Sequence, residues 1–123
     1  MQWEVVVTEG YEKWRKKENV TDVVFGYHKQ ALHDFCNVNL HHNVQSCHFK
    51  TDRYQCWESR LPDKERNKGK SGGFRVVFIL DLEDKVLLLQ GIFRREHLDW
   101  KGSSGKYTNQ HLSLLDDLKR EFI

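Results

Sequence analysis

The apolar positions fall into segments of two different periods. Trp3-Glu4-Val5-Val6-Val7-Thr8 is a β-branched run and predicts a first strand. Thr8 suits a helix N-cap, with Glu9 and Glu12 in the following turn and Tyr11 and Trp14 three apart on one face. A second helix is predicted after Thr21-Asp22, because Val24, Tyr27, His28, Ala31, Leu32 and Phe35 keep a 3–4 spacing, and it runs to about Cys36. Residues 37–52 show no clean periodicity and read as irregular. Arg53 to Leu61 reads as a strand packed through Tyr54, Cys56 and Trp57, and Pro62 ends it because proline has no N–H for a ladder. A polar loop, Asp63 to Gly73, follows.

The strongest strand signals are Phe74 to Leu80 and Lys85 to Phe93, joined by a hairpin turn at Asp81 to Asp84. Thr108 then precedes Leu112, Leu114, Leu115, Leu118 and Phe122, with Asp116 and Arg120 four apart on the outer side: an amphipathic last helix with an N-cap. The order β-α-α-β-β-β-α predicts an α+β fold, a mainly antiparallel four-stranded sheet with helices packed on one face.

At 123 residues the chain suits a single domain over residues 1–123. No apolar run approaches the roughly 18 residues of a membrane helix, and the first residues lack the pattern of a signal peptide. The 3 cysteines, Cys36, Cys47 and Cys56, are too few and too odd in number for a disulfide scaffold, so a reducing cytoplasm is the expected location. Cys36, His41, His42, Cys47, His48 and Cys56 form a His/Cys-bearing stretch, but without a Cys-x-x-Cys pair they are read as reduced thiols and histidines rather than a zinc site. Neither metal nor cofactor is expected.

Charge changes the picture more. The net charge is only +2, yet residues 60–75 hold Arg60, Lys64, Arg66, Lys68, Lys70 and Arg75 against Asp63 and Glu65. The flanking regions are each slightly acidic, so this stretch supplies all the positive excess. A local cationic patch of that kind favours a polyanionic partner.

The hairpin would bring more cations to the same place. Arg75 lies near the start of its first strand, and Arg94-Arg95-Glu96-His97 near the end of its second. A turn centred on Glu83 and Asp84 would set Gly73 against Arg94 and bring Lys70 towards His97. An even loop puts Arg94 and Glu96 on the side of Arg75, whereas an odd one puts Arg95 and His97 there, since a one-residue slip inverts every side chain. Such a gathering suits a phosphodiester: arginine forks match pairs of phosphate oxygens, lysine adds compact charge, and a histidine among cations exchanges protons near neutral pH. The glycines of Ser71-Gly72-Gly73 serve either a close approach to a ligand or a turn.

Three stretches carry a family likeness: Trp57-Glu58-Ser59-Arg60-Leu61-Pro62-Asp63, Lys68-Gly69-Lys70-Ser71-Gly72-Gly73-Phe74-Arg75-Val76-Val77-Phe78, and Gly91-Ile92-Phe93-Arg94-Arg95-Glu96-His97. Together they resemble the RelE/ParE superfamily of type II toxin–antitoxin toxins. The resemblance implies a RelE-like endoribonuclease, or mRNA interferase, that inhibits translation by cutting mRNA without a metal, commonly in the ribosomal A site, and that is neutralised by a cognate antitoxin. In that chemistry the ribose 2′-hydroxyl attacks its own phosphate. The family's strand arginine falls on Arg75 and its later basic residue on Arg95, with Arg94 the neighbouring choice; its basic loop corresponds to Lys68 and Lys70. His97 is then the expected general acid or base, and Arg75 and Arg95 the stabilisers of phosphate charge. Arg60, Lys68, Lys70 and Arg94 are expected to hold the RNA backbone, with Trp100 stacking on a base. Residues 37–52 are longer than the usual helix-to-strand connection of the family.

Two other functions share this scaffold, a ParE-like inhibitor of DNA gyrase and a non-catalytic RNA-binding regulatory module. Structural alternatives exist for the residues too: an ion pair from Arg75 to Glu58 or Glu96, a solvated loop for Lys64 to Lys70, and a surface position for His97.

Overall fold

The computed structural model describes residues 2–37, 44–63, 65, 73–94 and 109–123. The elements in chain order are β1 (Glu4–Val7), α1 (Glu9–Lys17), α2 (Asp22–Asn37), β2 (Val44–Lys50), β3 (Tyr54–Leu61), β4 (Phe74–Asp81), β5 (Val86–Arg94) and α3 (Asn109–Phe122). The α+β class is as expected. The sheet has five strands rather than four, in the order β1-β5-β4-β3-β2, with β1 parallel to β5 and every other pair antiparallel. Among the described residues no helix is long and apolar enough to cross a membrane.

The added strand is β2, drawn from the stretch read as irregular. Its ladder with β3 shifts register between Val44 and Ser46 and again between Cys47 and Phe49. Each extra residue breaks the period-2 alternation by which a strand is recognised, so this edge strand carries no clean sequence signature.

Strand alternation divides the core into two. Phe74, Val76, Phe78 and Leu80 of β4 pack with Tyr11 of α1 and Val24, Leu32 and Phe35 of α2. Val77 and Ile79 face the other way and pack with Cys56, Phe93, and Leu115 and Leu118 of α3. The helices therefore cover both faces of the sheet, which corrects the one-face arrangement. The strand β4 has helix-packed apolar neighbours on either side and is buried along its whole length.

Local chemistry sets the element ends as the sequence indicates. Thr8 caps α1 by accepting from the Tyr11 N–H at 3.2 Å, and its hydroxyl donates to the Leu89 carbonyl, tying the cap to β5. The strand β3 stops before Pro62, whose carbonyl lies 2.8 Å from Nε2 of the buried His28. Gly73 re-enters the sheet so tightly that a Cβ there would sit 2.3 Å from the Leu61 carbonyl oxygen. That glycine is required by the chain's own backbone.

The β4–β5 hairpin decides the faces. Near the turn the pairs are Asp81↔Val86, Leu80↔Leu87, Ile79↔Leu88 and Phe78↔Leu89, the register of a turn centred on Glu83 and Asp84. The next pair is Val77↔Gly91, so Gln90 is an extra residue and the ladder slips by one. Beyond this bulge Arg75 stands opposite Phe93, and Phe74 opposite Arg94. Arg75 belongs to the α3 side and Arg94 to the α1–α2 side.

Candidate functional site

The site is the α3-side face of β3 and β4. Tyr54, Cys56, Glu58 and Arg60 alternate along β3, and Arg60 pairs directly with Arg75 of β4. Two cations opposed across neighbouring strands repel, and the arrangement needs negative charge nearby. Glu58, two residues from Arg60 on the same face, supplies an anion. Arg75 is only 2% exposed, whereas Arg60 is half-buried, and its Nε is buried without a hydrogen-bond partner among the described residues.

Glu58 is held by two histidines from distant parts of the chain. Its Oε1 lies 2.8 Å from Nε2 of His111 and 3.4 Å from Nε2 of His48. Burial acts to raise the Glu58 pKa, but hydrogen bonds from His111 and His48, together with their charge, outweigh it and bring the carboxyl down to about 2. The group is an ionised carboxylate at any physiological pH, and its proton affinity is too low for it to serve as a general base near neutrality.

Each histidine arrives by an identifiable device. The β2 pairs run Cys47↔Trp57 and then Phe49↔Cys56, so His48 is the extra residue of a bulge. The bulge turns both His48 and Phe49 to the α3 side, where Phe49 packs against the α3-side core and His48 reaches Glu58. His111 is fully buried and its ring lies 4.8 Å from that of Phe93. It heads the inner stripe His111, Leu115, Leu118 and Phe122 of α3, spaced four, three and four. Leu112, expected inside, is 44% exposed.

Of the residues expected to act, Arg60 and Arg75 share this face. Arg94 does not, which corrects its assignment as a phosphate ligand. Its Nη1 donates to Asp63 Oδ2 at 2.7 Å, its Nε to the Glu18 carbonyl at 2.8 Å and its Nη2 to the Asn19 carbonyl at 3.3 Å, with its guanidinium 4.7 Å over the Phe74 ring. It joins the end of α1, the residue after Pro62 and the end of β5, and its donors are engaged within the protein. Lys68, Lys70, Arg95, His97 and Trp100 lie outside the described residues.

The thiols take no part here. Cys36 lies in the α1–α2 core and Cys56 is packed in the α3-side core, and burial pushes both up to about 12, so they stay protonated. Of the His/Cys stretch weighed for zinc, His48 is the member that joins a potential ligand group among the described residues, with Glu58 and His111.

Three members of this site were not assigned to it from the sequence. Glu58 could have been found as a charge in the middle of a strand, in phase with Cys56. His111 could have been found from its spacing to Leu115 and Leu118. His48 could not, because its bulge leaves no periodic trace.

No protein-family model matches the sequence, and no curated protein matches it. Among solved structures, the chain is similar to the archaeal RelE–RelB complex from Pyrococcus horikoshii OT3, with a TM-score of 0.54 and 16% sequence identity, covering 79% of this chain and 99% of that one. At that identity the likeness is one of architecture: this chain has a RelE-like fold.

Proposed function

We propose that this chain is the toxin of a toxin–antitoxin pair, a metal-independent endoribonuclease that cuts mRNA in the ribosomal A site and is silenced by a cognate antitoxin. The observation that carries the reading is Arg60 directly opposite Arg75 on a RelE-like fold, with the Arg60 Nε buried and unpartnered among the described residues. Arginines paired across neighbouring strands suit a phosphodiester, whose oxygens accept from guanidinium donors such as the Arg60 Nε–H. The stretch between β3 and β4 brings the sequence's excess of basic residues, Lys68 and Lys70 among them, into the same connection.

In this reading the ribose 2′-hydroxyl attacks the adjacent phosphorus, the bond from phosphorus to the 5′-oxygen breaks, and a cyclic phosphate and a 5′-hydroxyl result. Arg75, Arg60 and Arg95 stabilise the charge gathering on the non-bridging oxygens, and His97 transfers the proton. Trp100 stacks on a neighbouring base. Glu58, ionised and a weak base, balances Arg60 and Arg75 rather than taking a proton from the substrate.

Induced expression decides between this function and its rivals. The expected result is growth arrest with fragmented transcripts, abolished by Arg75→Ala and by His97→Ala in protein that circular dichroism shows to be folded. Arrest with intact mRNA and altered DNA topology would assign a gyrase inhibitor instead, and RNA binding without toxicity or cleavage a regulatory module.

A further inference from the structure

Two imidazoles and one carboxylate converge on the α3 side of the sheet from β2, β3 and the start of α3. We propose that His48, Glu58 and His111 bind a Zn2+ ion that fastens α3 to the sheet. One donor atom from each residue, an imidazole nitrogen of His48 and of His111 and a carboxylate oxygen of Glu58, lies within 4.8 Å of the other two. Metal–ligand bonds of about 2.0–2.2 Å at tetrahedral angles set neighbouring donors roughly 3.4 Å apart. His48 Nε2 and Glu58 Oε1 are already at 3.4 Å, and His111 Nε2, at 2.8 Å from that oxygen, would open by only about half an ångström.

The chemistry of the set selects the ion. Two imidazoles with one carboxylate suit zinc and its late first-row neighbours, whereas Mg2+ and Ca2+ take oxygen donors. The ligands stand on a strand, a strand bulge and a helix, each anchored by core packing, as a preorganised site requires. Three protein ligands leave the fourth tetrahedral position to water. The ion would take the place of the close imidazole-to-carboxylate contacts that otherwise join α3 and β2 to β3. This site stands whether or not the chain cleaves RNA.

The full-length protein, freed of metal with a chelator and dialysed, is titrated with ZnCl2 by calorimetry and with CoCl2 by visible absorption. The expected result is one ion per chain and a tetrahedral Co2+ spectrum without the thiolate band that coordination by Cys47 would give. Zinc at 100 times Kd should raise Tm by about 10 °C. His48→Gln, at a partly exposed position, and Glu58→Gln should each weaken binding at least tenfold. His33→Gln, remote from the site, should leave it unchanged. Should Glu58→Gln fail to fold, His48→Gln decides. Failure to bind zinc, binding undiminished in His48→Gln, or an unchanged Tm on zinc addition would each overturn the proposal.

Discussion

Arg94 Nη1 and Asp63 Oδ2 lie 2.7 Å apart, with the two side chains 10% and 3% exposed. A basic residue that the sequence places among phosphate ligands is instead the centre of a buried junction. Removing one partner of such a pair strands the other without water. Arg94→Ala is therefore expected to cost about 3–5 kcal/mol, read from urea unfolding. A loss below about 1 kcal/mol would show that the junction is not structural.

Glycines at two positions should respond to alanine in opposite directions. At Gly73 a Cβ meets backbone at 2.3 Å, and Gly73→Ala should destabilise by more than about 2 kcal/mol. Gly26 lies inside α2 with nothing within 4 Å of where a Cβ would stand, so Gly26→Ala should stabilise by about 0.4–1 kcal/mol. Melting temperatures of the two variants check the pair. Equal shifts would contradict the close approach at Gly73.

The Glu58 carboxyl is lowered in the folded chain from an ordinary 4.5 to about 2. A depressed carboxylate contributes stability that is fully present above the unfolded value and is lost as pH falls through the folded one. Stability from this group should hold above pH 4.5 and decline between pH 4.5 and 2. Glu58→Gln should flatten that part of the pH–stability profile, measured by denaturant unfolding at each pH. A profile of unchanged steepness would dissociate Glu58 from acid unfolding.

If Arg60 contacts phosphate, Arg60→Ala should weaken RNA binding similarly for all sequences and reduce the slope of log affinity against log salt by about 1. Titration of RNA oligonucleotides at several salt concentrations measures it. An unaltered slope would place the phosphate contacts elsewhere.

Much of the fold was legible in local chemistry. Thr8 capping α1, Pro62 ending β3, the turn about Glu83 and Asp84, and the 3–4 spacing from Val24 to Phe35 all depend on near neighbours, and the structure keeps each of them. The strand β2 was hidden because two register shifts interrupt its alternation. Charge singled out Arg60 and Arg75, which share one face, whereas the partners of Glu58 come from positions 48 and 111, too far along the chain for any local pattern to join them.

The sequence by itself determined which segments form most of the strands and the helices, and that cations crowd the connection from β3 to β4. The tertiary structure alone decided which side each side chain meets. The hairpin turn left Arg94 on the Arg75 side, and the bulge at Gln90 moved it across, because one added residue inverts the alternation of everything beyond it. The same device at His48 carried an imidazole to Glu58. A bulge is set by how strands and helices pack together, with Gly91 facing Leu114 of α3 beside one of them, and such packing leaves no period in the residues themselves.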